Sequence, residues 1–342
     1  MPTTERVTIT DIAKEAGVSV PTVSRVLNGR ADVAAGTRAK VEGLLNHHGY
    51  RRRGSRRVER ANLIDLVFND LDSPWAVEII RGVEEVAHSS GMGTVVSAIH
   101  RQSTAAQQWM QNLQARASDG VILVTSGLEP KLQAELRRLQ VPTVVIDPAG
   151  VPGLAVPTVG ATNWAGGLSA TEHLISLGHR RIGLIAGPSR LLCSRARQDG
   201  YRAALDAAGL SADGLSADGL IYEGDFYHES GFAGAGQLLD SADPPTAFFA
   251  SSDQMALGVY EAVRRRGLRV PDDISVVGFD DLPESTWASP PLTTVRQPLT
   301  QMGMVAARTI LRLLQGDQLE SPKVELATEL IVRESTAPLS DR

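Results

Sequence analysis

The sequence predicts an α/β protein: a small all-helical end followed by two doubly wound lobes built on parallel sheets. Three observations predict it. Residues 8–50 carry three short helical patterns separated by turn residues. From residue 62 onward, short β-rich apolar runs alternate with longer helical stretches. The chain is 342 residues long, more than a single core usually serves, so several units are expected.

Within the helical end, "TDIAKEAG" opens on Thr10 as a candidate cap. Asp11 falls in the first turn, where a carboxylate suits the helix dipole, and Gly17 suits the left-handed stop. "SVPTVSRVLNG" follows, with Ser19 able to cap and Pro21 in the first turn, where its missing N–H costs little. Val23, Val26 and Leu27 form an apolar stripe at helical spacing, and Asn28-Gly29 ends the segment. A third helix, roughly 36–48, presents Val41, Leu44, Leu45 and His48 on one face. Ala34 and Ala35 stand where a capping hydroxyl is expected.

Strands are expected at 62–68, 94–99, 120–125, 142–146, 181–186, 219–223, 246–250 and 274–279. Each is a near-continuous apolar run, the pattern of parallel strands covered on both faces. Helices at 75–90 and 163–177 supply crossovers. The expected organisation is a headpiece over 1–50, a basic hinge over 51–61 and a core over 62–342. Within the core, one lobe spans about 62–160 plus about 293–330, and the other about 161–292. The repeat "LSADGLSADG", 210–219, is too short for a solenoid and reads as a lengthened surface loop.

Charge is partitioned. The chain carries a net −5, yet residues 1–60 hold 12 Lys+Arg against 6 Asp+Glu, and the remainder 22 against 33. "RRRGSRRVER", 51–60, sets six arginines against one glutamate. A basic end on an acidic body points to a polyanion at that end alone. The composition, 42% hydrophobic and 21% charged, is that of a soluble globular protein. No apolar run approaches the ~20 residues of a membrane span, so no membrane partner is expected. The N-terminal stretch lacks the apolar core of a secretory signal, and the expected location is the cytoplasm. The one cysteine, Cys193, excludes an internal disulfide and any multi-cysteine zinc site.

Two short helices joined by a tight turn, with a third across them, form the helix-turn-helix plan for reading double-stranded DNA. The second helix presents Val20, Pro21, Ser24, Arg25 and Asn28 outward. Arg25 can donate twice to guanine O6/N7, and Ser24 and Asn28 can meet bases or phosphates. Val20 and Pro21 are limited to apolar contacts such as a thymine methyl. Thr8, Ser19 and Thr22 suit phosphates.

The stretch "VTITDIAKEAGVSVPTVSRVLNG", continued in "TRAKVEGLLNHHGY", resembles the headpiece of the lactose-repressor (LacI/GalR) family of bacterial transcription regulators. "LGHRRIGLIAGP", "RARQDGYRAAL", "GDFYHESG", "SDQMALGVYEAVRRRGLRVPDDISVVGFDD" and "PPLTTVRQP" resemble its effector-binding core, in the same order. The resemblance implies lobes of the periplasmic-binding-protein type, a homodimer (or a tetramer) on a pseudopalindromic operator, and a small effector that controls it. It implies no enzyme activity and no cofactor.

Two doubly wound lobes bind ligands between them, at the carboxyl ends of strands. Polyhydroxylated ligands call for carboxylates, a guanidinium and an aromatic face. Arg197, Asp253 and Asp147 fit the first need, and Trp75 and Phe226 the second. The resemblance matches Arg197 and Asp253 to ligand-gripping positions, Phe226 to a stacking aromatic, and Trp75 with Pro74 to a covering loop. Asp147, Leu191 and Cys193 match variable contact positions, and Asp280 ends another strand. Trp164 and Trp287 are expected in the core or an interface. A sugar or oligosaccharide effector is favoured, with a purine as the alternative.

Other classes fit less well. A periplasmic sugar-capture protein shares the two lobes but calls for an export signal and no headpiece. A sugar-acting enzyme calls for motifs that are missing: "AGPSR" lacks the Gly-Lys-Ser/Thr ending of a phosphate loop, and neither a Ser/His/Asp motif nor metal-ligand spacing occurs. In the family, the hinge folds on the operator and inserts a leucine into the minor groove. Here no leucine lies between 51 and 62, Gly54 interrupts a helix, and Val58 is the only candidate wedge. The run, with Tyr50, Arg51, Arg52 and Arg53 leading, is expected to hold DNA electrostatically.

Overall fold

The computed structural model describes residues 8–27, 33–48, 61–100, 102–124, 130–147, 156–210 and 217–339. The chain divides into two compact units, Met1–Glu59 and Arg60–Arg342.

The first unit holds α1 (Ile9–Ala16), α2 (Val20–Leu27) and α3 (Ala35–His47). The cap of α1 is Thr8 rather than Thr10, which lies inside the helix. Thr8 and Asp11 form a capping box. The Thr8 backbone N–H donates to Asp11 Oδ2 at 2.7 Å and the Thr8 hydroxyl at 2.6 Å, while the Asp11 N–H donates to Thr8 Oγ1 at 3.4 Å. These bonds hold the Asp11 carboxyl below the usual carboxylate range. Gly17 stops the helix at φ +66°, a conformation that costs glycine little. Ser19 caps α2 through the Thr22 N–H at 3.4 Å, as expected. Ile12, Ala13, Ala16, Val23, Val26, Val41 and Leu45 make the small core. His48 does not enter it; its Nε2 lies 2.7 Å from Glu15 Oε2 and ties the end of α3 to α1.

Among the described residues, the second unit contains two six-stranded sheets. The first runs β11-β5-β4-β3-β1-β2, with β1 (Leu63–Phe68), β2 (Gly93–Ala98), β3 (Gly120–Val124), β4 (Thr143–Ile146), β5 (Thr158–Ala161) and β11 (Lys323–Leu326). Its ladders are all parallel. Helices α4 (Pro74–Ser89), α5 (Ser103–Arg116), α6 (Pro130–Leu139) and α12 (Leu299–Gln315) belong to this lobe. The second sheet runs β12-β10-β9-β8-β6-β7, with β6 (Ile182–Ala186), β7 (Ile221–Glu223), β8 (Ala247–Ala250), β9 (Ser275–Asp280), β10 (Thr293–Arg296) and β12 (Glu329–Ile331). Only β12 pairs antiparallel. Helices α7 (Asn163–Ser176), α8 (Leu192–Ala207), α9 (His228–Leu239), α10 (Asp253–Arg265) and the short α11 (Pro283–Trp287) belong here. The inner strands are fully buried, β3, β6, β8 and β9 from end to end, which explains their unbroken apolar sequences.

The chain crosses between lobes three times, at 162, at 297–298 and at 327–328. The return expected near 293 therefore comes later, because β10 still pairs with β9. The segment after 328 also leaves the first lobe: β12 pairs with β10, and Ser335 and Ala337 bond to the β9 residues Val276 and Ser275. The first and third crossings are tied together by Thr162 and Thr328, whose hydroxyl oxygens lie 3.0 Å apart, with the Thr328 N–H donating to Thr162 Oγ1 at 2.9 Å.

Three helix pairs approach closely at glycines. A Cβ on Gly82 of α4 would lie 1.9 Å from the Thr300 carbonyl oxygen of α12, one on Gly167 of α7 would lie 2.3 Å from that of Arg197 on α8, and one on Gly231 of α9 would lie 2.1 Å from that of Met255 on α10. The Gly167 contact sets the depth of Arg197. Alanine there adds helix propensity, but the backbone clash has no rotamer to relieve it. Gly167→Ala should therefore lower the melting temperature of the core, at a cost of about 1–3 kcal/mol. A melting temperature equal to or above that of the unmodified protein would contradict the close approach.

Candidate functional site

The two sheets turn their carboxyl ends toward a shared cleft with a cavity of about 160 Å³. Phe68, Asn69 and Asp70 follow from β1, Asp147 from β4, Asp225 and Phe226 from β7, and Asp280 from β9. Helix starts add Ser73 and Trp75 at α4, Leu191 and Cys193 at α8, Tyr227 at α9, and Ser252 and Gln254 at α10, and Arg197 reaches in from within α8.

Arg197 is the centre of this wall and only 4% exposed. Its Nε donates to Asn163 Oδ1 at 2.8 Å and its NH1 to the Ser251 carbonyl at 2.6 Å. The guanidinium lies 3.7 Å from the Phe279 ring centre and 5.7 Å from that of Phe226. NH1 stands 3.9 Å from Asp280 Oδ1, which also accepts from Gln297 Nε2 at 2.6 Å. Burial pushes the Asp280 carboxyl up to about 7, opposed by the nearby Arg197 charge and the Gln297 bond. Burial likewise raises Asp147, again opposed by Arg197 and by a bond from the Cys193 thiol. The thiol itself is pushed up by burial and the Asp147 charge, so Cys193 is a poor nucleophile.

Several wall residues adopt backbone conformations uncommon for side-chain-bearing residues: Asp147 at φ 51°, Phe226 at φ 77° and Asp280 at φ 120°. Phe226 is held by its neighbours. Its carbonyl accepts from Ser252 Oγ at 2.9 Å, and a Cβ on Gly187 would fall 2.1 Å from its ring. Strained residues gathered on one cavity wall are a mark of a functional site. Across the mouth, Tyr227 Oη donates to Asp70 Oδ1 at 2.9 Å and joins the lobes.

The structure brings Trp75, Asp147, Leu191, Cys193, Arg197, Phe226 and Asp280 together as expected from sequence. Asp253 is a correction. It is fully buried and turned away from the cavity; its Oδ2 accepts from the Leu282 N–H at 2.8 Å and its Oδ1 from Thr294 Oγ1 at 2.5 Å. Its place at the start of α10 made it look like a wall residue, but its neighbours Ser252 and Gln254 line the cavity instead. Pro74 begins α4 without lining the cavity. Trp164 and Trp287 are 47% and 76% exposed, so neither belongs to the core. Sequence reading missed Tyr227, Gln254 and Asn163. Each sits one residue from a strand-end candidate or from a crossing, so the strand-end rule could have found them.

In the headpiece, Val20, Pro21 and Arg25 are exposed and Ser24 partly so. The Ser19 and Thr22 hydroxyl oxygens lie 2.9 Å apart, and the Thr8 hydroxyl is engaged by Asp11. Asn28, Tyr50, Arg51, Arg52 and Arg53 lie outside the described residues. Among the described residues, no group of three or more His, Cys, Asp or Glu could hold a metal ion, and no helix is long and apolar enough to cross a membrane.

A helix-turn-helix unit joined to a two-lobed core with a polar and aromatic cleft defines a DNA-binding protein of the ligand-sensing class. Family models agree: residues 8–53 match bacterial regulatory proteins of the lacI family, and 171–336 match the periplasmic binding protein-like domain. The HTH-type transcriptional repressor CytR of Escherichia coli K12 is 35% identical over 97% of both chains. A solved CelR–cellobiose complex is 36% identical, with a TM-score of 0.74 over 96% of this chain and all of that one. The lac repressor dimer bound to operator and the anti-inducer ONPF is 31% identical, with a TM-score of 0.71 over 97% and 100%. This chain belongs to the LacI family of transcriptional regulators, DNA-binding proteins and not enzymes.

The cleft carboxyls give a pH dependence with a fixed sign. A carboxyl that ionises near 3.9 when unfolded and near 7 when folded keeps the folded state more protonated between those values. The contribution of this group to stability therefore falls as pH rises from about 4 to about 7. Asp280→Asn is neutral throughout, so its urea midpoint should decline less between about pH 5 and pH 7.5. An equal decline in both proteins would place the titration elsewhere.

Proposed function

We propose that the protein is a ligand-responsive repressor of carbohydrate-utilisation genes. In this reading a homodimer binds a pseudopalindromic operator in the cytoplasm, and a small sugar or oligosaccharide in the interlobe cleft controls its affinity. The observation that carries it is the cleft. A buried guanidinium, several carboxylates and the aromatic faces of Trp75 and Phe226 meet there, the mixture that a polyhydroxylated ring calls for. The cellobiose in the CelR complex and the operator-bound lac repressor dimer support the same reading.

Within it, Arg197, Asp147 and Asp280 grip hydroxyls, Phe226 and Trp75 cover the apolar face, and Leu191 and Cys193 shape one side. Asp253 serves instead to fix the α10 start against β10. On DNA, Arg25, Ser24 and Asn28 read base edges, while Val20 and Pro21 make apolar contacts. Ser19, Thr22, Tyr50 and Arg51–Arg53 meet the backbone; Thr8 contributes mainly by capping. Leu71 before α4, Val77 in α4 and Val96 in the edge strand β2, exposed apolar side chains, suit a subunit contact.

The test selects a binding site from random DNA and follows its affinity by anisotropy against salt. A preferred sequence should emerge. Arg25→Ala should cost about 1–3 kcal/mol at one base position. Replacing Arg51–Arg53 by alanine should flatten the salt slope, by about 0.9 for each phosphate no longer neutralised. Failure to enrich any sequence would defeat the proposal, and an unchanged slope would make the arginine run a solvated linker.

A further inference from the structure

We infer that the cleft accepts uncharged or cationic polyols and rejects their anionic counterparts, such as sugar phosphates and uronates. The inference rests on the cleft being the effector site and names the chemistry of what enters it.

Four carboxylates line the cavity, Asp70, Asp147, Asp225 and Asp280, and among the described residues Arg197 is the one cation that does. An ionised carboxylate only accepts hydrogen bonds, and Asp147 and Asp280, whose carboxyls burial raises, could meet an anion only in their protonated form, so the ionised wall seeks donors. Hydroxyl and ammonium groups donate; phosphate and carboxylate oxygens do not.

Several donors on the wall are committed. Ser252 donates to the Phe226 carbonyl, Tyr227 to Asp70, and Cys193 to Asp147. Arg197 spends Nε on Asn163 and NH1 on Ser251, and it already faces Asp280. An anion would therefore share one guanidinium with carboxylates already in place, where a buried charge without its own partner is costly.

Helix starts oppose this tendency. The N-termini of α4, α8, α9 and α10 reach the cleft, each equivalent to roughly half a positive charge. Summed, they match about two carboxylates, and they are partly answered on the spot. Ser73 caps α4, Ser252 caps α10, and Asp225 Oδ1 accepts the Tyr227 N–H at the start of α9. The balance of acceptors remains.

Two measurements on the full-length protein test this. The first needs no effector. Quenching of Trp75 fluorescence by caesium and by iodide is taken as the difference between the unmodified protein and Trp75→Phe, at constant ionic strength. Relative to free N-acetyltryptophanamide, the caesium-to-iodide ratio should rise at least two-fold, and Asp70→Asn with Asp225→Asn should return it toward the free value. A ratio equal to or below the free value would overturn the inference.

The second is a thermal-shift panel of glucose, glucosamine, glucuronate, glucose 6-phosphate and cellobiose. No anionic member should shift the melting temperature more than its neutral parent. A larger shift from glucuronate or glucose 6-phosphate than from glucose would overturn the inference while leaving a sugar effector standing. A panel with no shift at all would count against the sugar reading, and quenching would still decide the charge preference.

Discussion

The burial of one guanidinium governs the cleft. A charge with 4% exposure is tolerated only when its surroundings answer it, because desolvation otherwise costs several kcal/mol. Arg197 is answered by the Asn163 amide, the Ser251 carbonyl, the faces of Phe279 and Phe226, and the carboxyls of Asp280 and Asp147. Phe279 and Asp280 both come from β9, and the other partners come from separate parts of the chain. Their arrival at one point requires the α7–α8 approach at Gly167, the strand ends of both sheets and the start of α10. Remove the guanidinium, and the raised carboxyls lose the charge that offsets their burial.

The same network reaches the crossings between the lobes. Asn163 follows the first crossing directly; its Nδ2 donates to the Ala161 carbonyl in the first lobe at 3.1 Å, while its Oδ1 accepts from Arg197 in the second. Gln297 opens the second crossing and bonds Asp280 through both its side chain and its backbone N–H. Groups that touch the cavity are thus one hydrogen bond from two of the three connections. A ligand that pulled on Arg197 or Asp280 would act on the crossings through Asn163 or Gln297 alone, a short physical route from occupancy to lobe angle.

Much of this was legible in the sequence. The eight strands read as apolar runs are the buried inner strands and their neighbours, where burial on both faces leaves a strong compositional trace. The strands that escaped, β5, β10, β11 and β12, have three or four residues and mix Thr, Gly or charge into the run. β11 and β12 sit at sheet edges, as β2 and β7 also do, but Lys323, Glu325 and Glu329 break the apolar pattern in them. The third crossing was hidden for the same reason. In the cleft, proximity to a strand end found Asp147, Phe226 and Asp280, while Arg197, inside α8, came from its chemistry and the family resemblance. Proximity misassigned Asp253 because position alone does not say which way a side chain turns; Thr294 and the Leu282 N–H, distant in sequence, decide that. Thr8 outcompeted Thr10 as the cap because Asp11 lies three residues on and returns the bond.

The proposed function makes Arg197 the link between occupancy of the cleft and DNA binding by the helix-turn-helix unit. The most direct measurement is operator affinity with and without a cleft ligand, for the unmodified protein and for Arg197→Ala, with circular dichroism confirming the fold. Ligand should change the affinity of the unmodified protein by at least about tenfold, a coupling within the usual range for allostery. Arg197→Ala should bind operator as tightly and ignore the ligand. A folded Arg197→Ala protein that still responds to ligand would contradict the account.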